Sequence, residues 1–389
     1  MRNKSEKNIT AALQAVDWNF TGATTMRNTV HTLHWFPGNF IPEIPAYLIQ
    51  ILSDGGEIVL DPFCGSGTTG IEALRLGRTA WQSDVNRASI EVARGKLAVC
   101  TGSSLVPKLT AFVNSEALGS LFRPSAGSVS EHAHVDARKW FHADTYADLR
   151  YLWHQIDVLP WSRLKQVLLM LFSDTLFACA STSGVATSGG GRRRHHWGWI
   201  ADNVVPSKPV RHDANRLFRE RVIRTITAIQ SNPPSSSRAS VLLRQDARQL
   251  AIPDESVDLV VTSPPYLGMI DYTLASRVEY LWMGWSLEAD KTREIGPRFR
   301  RNRSNTVDEY LAAMCTSAFE IARVLRGGRY CAIVIGASRK FPDVTQEVIS
   351  RFSKFLRIVW GPSKRIPTRR RISERKGTEP LEMICVFRK

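Results

Sequence analysis

Short apolar runs that end abruptly in turn residues alternate along this chain with segments in which apolar residues recur every three or four positions. The short runs predict buried strands at 57–60, 78–83, 241–243, 257–261 and 330–335. The longer segments predict helices at 41–52, 71–76, 267–285, 306–325 and 343–356. This alternation predicts an α/β fold built on a mostly parallel sheet.

The C-terminal third of the chain also carries boundary signals. Thr306–Glu309 has the spacing of a capping box, and Gly327–Gly328 is expected to end the helix that begins there. Two later apolar runs, Ile358–Trp360 and Met383–Phe387, predict an antiparallel hairpin at the edge of the sheet.

The middle of the chain interrupts this pattern. It contains two helical segments and one stretch of small, polar residues that predicts a mobile loop, at 164–179, 215–230 and 181–191 respectively. We therefore expect a sheet domain formed by residues 1–100 and 240–389, with a largely helical insertion at 101–239. A chain of 389 residues with 43% apolar composition can bury cores for two such domains.

The strand predicted at 257–261 stops in Thr262-Ser263-Pro264-Pro265-Tyr266. Proline lacks a backbone donor and fixes φ, so the strand ends in a rigid corner. Such corners lie at the edge where open α/β sheets bind ligands. This corner offers a hydroxyl, a free carbonyl and an aromatic face, which suit a flat ring bearing an amino group. A proline-rich turn around a core tyrosine is the structural alternative.

A second motif follows the strand at 57–60. Gly65, Gly67 and Gly70 have the G-x-G-x-x-G spacing that lets a backbone approach a cofactor closely. No Gly-Lys-Ser/Thr follows, which excludes a Walker A loop. Asp84 ends the next predicted strand, where an acid can accept ribose hydroxyls. NAD enzymes use the same device, so a dinucleotide-dependent oxidoreductase stays open at this point.

Three segments together resemble the amino-directed DNA methyltransferases, which methylate cytosine N4 or adenine N6 with S-adenosyl-L-methionine. They are His34–Phe40, Asp61–Gly70 and Thr262–Tyr266. The resemblance covers about residues 30–100 and 240–270, loosens towards the end and is absent from 101–239. It implies a Rossmann-like methyltransferase sheet.

The resemblance also implies which residues hold S-adenosyl-L-methionine. Phe63, Gly65 and Gly67 would lie against its amino-acid part, with Asp61 near the ammonium group, Asp84 on the ribose and Asp246 on the adenine. The remaining implied cofactor positions are Phe36, Pro37, Gly38 and Thr262. Structural alternatives stay open for three of these sites. Asp61 could bind N–H groups of its own loop, Asp246 could be a solvated loop acid, and Phe36–Gly38 could be a turn before a helix.

The corner at Thr262–Tyr266 offers the groups that methyl transfer to an amine requires. An exocyclic amine is a poor nucleophile because its lone pair is delocalised into the ring, and two acceptors would localise that lone pair. Ser263 Oγ and the Pro264 carbonyl are the candidates, with Pro265 fixing the corner and Tyr266 stacking on the base. In a duplex the base must be flipped out of the helix. The chain has no Pro-Cys dipeptide, so we exclude methylation at cytosine C5.

Within the family, Ser at the first corner position is commoner in N4-cytosine enzymes and Asp in N6-adenine enzymes. Ser263 therefore favours cytosine N4, with adenine N6 as the nearest alternative. An RNA base methyltransferase and a non-catalytic DNA-binding protein of the same fold are further alternatives. The resemblance implies modification of a short site in double-stranded DNA, with a restriction endonuclease acting on the same site as a possible partner.

The charge of the chain fits a polyanionic substrate. Lys and Arg number 52 against 36 acidic residues, which gives a net charge of +16. Three basic runs supply the residues that we expect to contact DNA: Arg192, Arg193, Arg194 and Trp197 in the first, Arg300 and Arg301 in the second, Arg369, Arg370 and Arg371 in the third. The family's target-recognition domain commonly lies between the third strand and the corner. Asp246 and Thr262 are too close for one here, so we expect the insertion to contact DNA, with helical support of the sheet as the alternative.

The remaining signals concern location and metals. No apolar run is long enough to span a membrane, and the N-terminus lacks the apolar core of a signal peptide. The six cysteines are spread without a C-x-x-C pair, which indicates reduced thiols in the cytoplasm. The nine histidines show no metal-binding spacing, so we expect no metal site.

Overall fold

The computed structural model describes residues 5–20, 29–38, 41–101, 104–114, 135–180, 197–206, 208–231, 239–336, 340–366 and 382–389. The strands are β1 (Ile58–Asp61), β2 (Thr79–Asp84), β3 (Ser240–Arg244), β4 (Val257–Thr262), β5 (Leu325–Gly336), β6 (Arg357–Arg365) and β7 (Glu382–Arg388). The helices of the sheet domain are α1 (Glu6–Gln14), α2 (Glu43–Leu52), α3 (Thr68–Arg75), α4 (Arg87–Thr101), α11 (Tyr272–Ala275), α12 (Arg277–Met283), α13 (Leu287–Lys291), α14 (Thr306–Val324) and α15 (Val344–Phe352). Those of the middle segment are α5 (Leu105–Asn114), α6 (Val135–Arg138), α7 (Ala143–Asp157), α8 (Arg163–Cys179), α9 (Trp197–Ala201) and α10 (Ala214–Ser231).

The seven strands form one sheet in the order β3-β2-β1-β4-β5-β7-β6. The first five run parallel, and β7 pairs antiparallel with both β5 and β6. The predicted α/β fold with an antiparallel edge hairpin is therefore confirmed. The strand order reverses between β1 and β4, and such a switch point is where open α/β sheets form a ligand crevice at their carboxyl edge.

Alternation along the strands divides the core into two layers. In β5, Cys331 and Ile333 face a core formed with α14 and α15, while Ala332 and Val334 face a core formed with α1 and α2. All six positions of β4 are buried, as expected for a central parallel strand with helices on both faces.

The helices of the middle segment share one hydrophobic core with the sheet domain. Trp140, Phe172 and Phe218 from this segment cluster with Val99 of α4 and Trp282 of α12. The two predicted helices are confirmed as α8 and α10. Because their apolar faces pack against helices of the sheet domain, they support that domain directly.

The prediction of one helix over 267–285 is wrong. Residues 267–271 form a loop, and two short helices follow, α11 and α12, which Ser276 separates. Asp271 explains why the first helix begins only after residue 271. Its carboxylate accepts a hydrogen bond from the Phe299 N–H (2.8 Å) and pairs with Arg298 (3.0 Å). These long-range contacts hold the loop open where local periodicity alone favours a helix.

The boundaries of α14 also differ from the prediction. The residue before the helix is Asn305, whose side chain donates to Glu309 (2.6 Å), whereas the Thr306 hydroxyl donates to the Arg300 carbonyl. The helix ends at Val324, and the glycine pair expected to stop it lies inside β5. Pairing with β4 lengthens β5 beyond the apolar run that predicted it.

The N-terminal helix covers the antiparallel edge of the sheet. The Glu6 carboxylate accepts hydrogen bonds from Arg357 (2.6 Å) and Arg388 (3.0 Å). After this helix, the carbonyl of Trp18 accepts a hydrogen bond from Arg365 (3.0 Å). The Trp18 ring lies 5.6 Å from the ring of Trp360. In the part of the chain that the structure describes, no helix combines the length and apolar character needed to cross a membrane.

Candidate active site

A cleft opens at the carboxyl edge of the sheet, beside the switch point between β1 and β4. It encloses about 790 Å³ of empty space, part of which is open to solvent. The predicted site residues that line it are Phe36, Gly38, Phe63, Gly65, Asp84, Asp246, Ser263 and Pro265. The fold therefore unites the N-terminal motif, the glycine loop, the strand-end acids and the proline corner in one place.

The glycine loop owes its shape to positive φ angles and close packing. Gly65 and Gly67 have φ of +50° and +87°, a region that favours glycine. A Cβ on Gly67 would lie 3.2 Å from the Cβ of Ala93, and one on Gly70 would lie 2.1 Å from Nε2 of Gln82. The first two glycines therefore form the turn, and the third lets α3 pack against β2.

Asp84 is held in the cleft by two backbone donors. Its Oδ2 accepts from the Gly65 N–H (2.9 Å) and its Oδ1 from the Asn86 N–H (2.8 Å). Burial raises the pKa of Asp84 to about 6. Each carboxylate oxygen has two lone pairs, so this arrangement leaves acceptor capacity for a ligand.

Asp61 and Thr262 join the ends of β1 and β4. The Thr262 hydroxyl donates to Asp61 Oδ1 (2.6 Å), which also accepts from the Phe63 N–H (3.1 Å). Both residues are buried, and burial raises the pKa of Asp61 to about 6. Neither lines the cleft, so their observed contacts position the glycine loop.

Asp246 lines the cleft beyond the end of β3. Its two oxygens accept from Nε (2.9 Å) and Nη2 (2.6 Å) of Arg248. Burial opposes ionisation, but these hydrogen bonds hold the pKa of Asp246 below its usual value. The carboxylate is therefore ionised and oriented by its arginine neighbour.

The N-terminal motif forms one wall of the cleft. Phe36 stacks on Tyr272 with ring centroids 6.1 Å apart. Gly38 has a φ of +78°, and a Cβ there would lie 2.8 Å from the Tyr272 hydroxyl. Pro37 faces a second, smaller cavity instead, which the buried side chain of Glu279 also lines.

Helices of the middle segment fix this N-terminal motif. The Trp35 N–H donates to Asp174 Oδ1 (2.8 Å), and Asp174 Oδ2 accepts from Arg221 Nε (2.6 Å). The Trp35 ring stacks on Phe177 at 4.0 Å between centroids. Because Asp174 and Phe177 lie on α8 and Arg221 lies on α10, these two helices hold one wall of the cleft.

The proline corner carries a chain of hydroxyl groups. Ser263 Oγ donates to Tyr266 Oη at 3.4 Å, and Tyr266 Oη donates to Glu382 Oε1 at 3.3 Å. Glu382 also forms a buried ion pair with Arg365. The polar groups of the corner are thereby tied to the antiparallel strands β6 and β7.

Packing around the corner restricts its prolines and its tyrosine. The Pro265 carbonyl accepts from the Tyr310 hydroxyl (2.9 Å), and Pro264 is buried. The Tyr266 ring lies against Gly336, where an added Cβ would be 2.6 Å from Cε2 of the ring. Ser263 and Pro265 line the cleft, whereas Pro264 and Tyr266 do not.

Only part of the predicted DNA surface falls within the described residues. Arg301 is exposed and lies beside Gly268, in the loop after the corner. A Cβ added to Gly268 would be 3.2 Å from the Cβ of Arg301. Arg300 is half-buried, with its guanidinium 5.3 Å from the Phe299 ring. Trp197 begins α9, but its side chain is outside the described set, as are Arg192, Arg193, Arg194, Arg369, Arg370 and Arg371.

The lining residues that the sequence analysis did not assign include Asn86, Tyr272 and Glu294. Glu294 is buried, and burial raises its pKa to about 7. Asn86 follows Asp84 and Tyr272 follows the proline corner, so a place in the cleft could have been suspected for both. Glu294 lies in a polar stretch with no recognisable pattern.

The described residues include no group of three or more His, Cys, Asp or Glu side chains placed to hold a metal ion.

Comparison with known proteins finds a family match in the N-terminal part of the chain. Residues 2–94 match the family model N6_N4_Mtase, described as DNA methylase. The chain is similar to Type II methyltransferase M.MjaII of Methanocaldococcus jannaschii, with 34% identity over 68 residues, which are 18% of this chain and 13% of that protein. It is also similar to Type II methyltransferase M.MvaI of Kocuria varians, with 21% identity over 281 residues, which are 69% of this chain and 61% of that protein.

Each of these curated relatives is matched over less than two thirds of its own length. Among solved structures, TrmN from Thermus thermophilus is 13% identical with a TM-score of 0.33, over 91% of this chain and 50% of that one.

Proposed function

We propose that this chain, whose residues 2–94 match the DNA methylase family model, uses S-adenosyl-L-methionine to methylate N4 of a cytosine in double-stranded DNA. The observation that carries the proposal is the single cleft that joins Gly65 and Asp84 to Ser263 and Pro265. Ser263 favours cytosine, and adenine N6 is the alternative with the same chemistry.

The cleft suits the cofactor in its mixture of aromatic, glycine and acidic lining residues. S-adenosyl-L-methionine carries a methyl group on a positively charged sulfur, and acids favour such a cation. We assign Phe36, Phe63, Gly65 and the loop glycine Gly67 to its amino-acid part, Asp84 to the ribose hydroxyls and Asp246 to the adenine amine.

Residues behind the cleft act through this loop. Asp61 would hold the loop near the cofactor ammonium, and Thr262 fixes Asp61 through the hydrogen bond between their side chains. Pro37 and Gly38 set the path of the wall that carries Phe36. These residues are positioning groups in the proposal, since Asp61, Thr262 and Pro37 do not line the cleft.

The corner residues prepare the target amine. The carboxylate of Glu382 only accepts, so the hydroxyl chain runs from Ser263 through Tyr266 to Glu382. The Ser263 hydrogen is then directed away from the cleft, and its lone pairs are free to accept an amine hydrogen. With the Pro264 carbonyl as second acceptor, the amine lone pair can point at the methyl group.

Transfer then requires no covalent enzyme intermediate. The amine nitrogen forms a bond to the methyl carbon as the carbon–sulfur bond breaks, and the amine proton leaves to solvent afterwards. Positioning and preorganised acceptors supply the rate enhancement. Tyr266 is assigned to stack on the flipped base, and Pro264 and Pro265 hold the acceptors rigidly.

The DNA would approach over the open side of the corner. The net charge of +16 and the exposed Arg301 near Gly268 support this orientation. The basic runs that contain Arg192–Arg194 with Trp197 and Arg369–Arg371 are assigned to the same surface, with Arg300 beside Arg301. We assign residues 1–100 and 240–389 to catalysis and 101–239 to both support and DNA contact.

The setting is modification of a short DNA site in the cytoplasm, beside a restriction endonuclease of the same specificity. Single-molecule sequencing of DNA from cells that express the chain tests the reaction, with Ser263→Ala as the control. We expect N4-methylcytosine in one short motif, absent in the control. N6-methyladenine would overturn the choice of base. No mark in DNA, despite folded protein, would overturn the proposal in favour of an RNA substrate or a binding role.

A further inference from the structure

One buried carboxyl group in the cleft has no part in these assignments. Glu294 lines the cleft with Asp84 and Asn86, and only 7% of the residue is exposed. Its Oε1 accepts a hydrogen bond from the Thr273 N–H, while its Oε2 has no hydrogen-bond partner among the described residues. Buried carboxylate oxygens are rarely left unpaired, so Oε2 is available to a donor on a ligand.

The position of Glu294 is fixed through its neighbours. The Thr273 hydroxyl accepts from Asn86 Nδ2 (3.1 Å), and the Asn86 N–H donates to Asp84 (2.8 Å). Two residues further on, Gly296 has a φ of +61°, and a Cβ there would be 2.6 Å from the Tyr310 ring. Glu294 is therefore held as a neighbour of the strand-end acid, on the same wall of the cleft.

The charges around Glu294 are mostly negative. Burial, with Asp271 and Asp84 nearby, raises the pKa of Glu294 to about 7. Asp271 is itself compensated by Arg298 at 3.0 Å. Arg293 lines the same cleft, where its charge acts on Asp246. A cationic ligand beside Asp84 and Glu294 would relieve the repulsion between them and favour the ionised form of both.

We propose that Glu294 is a further cofactor-binding residue, which accepts a hydrogen bond from S-adenosyl-L-methionine through Oε2 and favours this cation over the product, whose net charge is zero. The inference rests on the proposed function for its ligand. The cofactor has two positive groups, the sulfonium and the ammonium, against one carboxylate. Loss of the methyl group removes the sulfonium charge, so S-adenosylhomocysteine gains less from Glu294 and leaves more easily.

Isothermal titration calorimetry at pH 8 with both ligands tests this role without a methylation assay. Glu294→Gln keeps the size of the side chain and an acceptor for the Thr273 N–H, but removes the charge and the second acceptor. Both ligands have the same hydrogen-bond donors, so we expect both Kd values to rise with the loss of this hydrogen bond, by about tenfold. The Kd for S-adenosyl-L-methionine should rise by a further factor, because it alone carries the sulfonium charge that Glu294 attracts.

Glu279→Gln is the matched control. Glu279 is equally buried, at 7% exposure, but lines the second cavity and not the cofactor cleft. The control should bind both ligands as the wild type does. Wild-type affinities in Glu294→Gln, or equal losses for both ligands, would overturn the inference. Failure of the wild type to bind either ligand would instead overturn the proposed function.

A second measurement needs no variant. Titration of the wild type near pH 7 in two buffers of different ionisation enthalpy counts the protons released on binding. Because the bound cation favours ionised Glu294 and Asp84, we expect S-adenosyl-L-methionine to release more protons than S-adenosylhomocysteine. Equal proton release for the two ligands would contradict the charge-selective role.

Discussion

The hydroxyl of Ser263 donates to the hydroxyl of Tyr266 across 3.4 Å, and this contact sets which way the serine hydrogen points. Tyr266 in turn donates to Glu382, the first residue of β7. The acceptor character proposed for Ser263 therefore depends on a residue far away in the sequence. In the proposed mechanism, Tyr266 therefore acts through its hydroxyl as well as through its ring.

Replacing these hydroxyls one at a time separates their roles. Ser263→Ala removes a preorganised acceptor and should lower the single-turnover methylation rate by about 10²–10³-fold. Tyr266→Phe keeps the ring but frees the serine hydrogen, so we expect a smaller loss, on the order of tenfold. Tyr266→Ala should reduce methylation far more than cofactor affinity. A full rate in Tyr266→Phe, with unchanged cofactor binding, would contradict the hydroxyl chain.

Asp84 provides a test of the cofactor site. Asp84→Asn places an amide donor against one of the N–H groups of Gly65 and Asn86 and removes the charge. We expect the Kd for S-adenosyl-L-methionine to rise at least about tenfold. Calorimetry measures that affinity, and retention of a labelled duplex on a filter measures DNA binding, which should persist. Loss of DNA retention with intact cofactor affinity would show that the assignment is wrong.

The buried ion pair between Asp174 and Arg221 tests the supporting role of the middle segment. Asp174→Ala leaves the Arg221 guanidinium buried without its partner and should cost about 3–5 kcal/mol of unfolding free energy. It also releases the Trp35 N–H, so cofactor affinity should fall as the wall that carries Phe36 loosens. Urea unfolding and calorimetry measure the two effects. The exposed pair of Arg216 with Glu220 on α10 is the control, since its removal should cost less than about 1 kcal/mol.

Glu279 gives a prediction for the pH dependence of stability. Burial raises the pKa of Glu279 to about 8, above the value of 4.5 for an ordinary glutamate. The folded state therefore holds this proton more tightly than the unfolded state. The resulting contribution of Glu279 to the free energy of unfolding is fully present below pH 4.5 and is lost as the pH rises through 8.

Glu279→Gln cannot titrate at this position, so its Tm relative to the wild type should increase by several degrees from pH 5 to pH 9. Differential scanning calorimetry at a series of pH values measures the difference. Other buried acids titrate equally in both proteins and cancel. A Tm difference that is independent of pH would show that Glu279 titrates normally.

The sequence predicted the elements whose signals are local. The run at 257–261 is apolar at nearly every position because β4 is buried on both faces, and the prolines mark its end. Asp84 and Gly65 both line the cleft, because each position follows from where a strand stops. The alternation of predicted strands and helices along the chain also predicted the α/β fold and its mostly parallel sheet.

Features that depend on distant contacts escaped prediction. The helix expected over 267–285 fails where Asp271 is held by Arg298 and Phe299, which no local period encodes. Glu294 reaches the cleft only because the chain folds back beside Thr273. Likewise, the hydroxyl chain from Ser263 requires Glu382, which pairing of β7 with β5 brings to the corner.

Glu6 bridges Arg357 and Arg388, so the first described helix and the last strand lie side by side at one sheet edge. A short linker could therefore join these two places, and the chain could be opened at another surface loop, without moving any strand. The order of the motifs along the chain could then change while the arrangement of the strands stays the same. Circularly permuted relatives with the glycine loop after the proline corner are accessible to this fold.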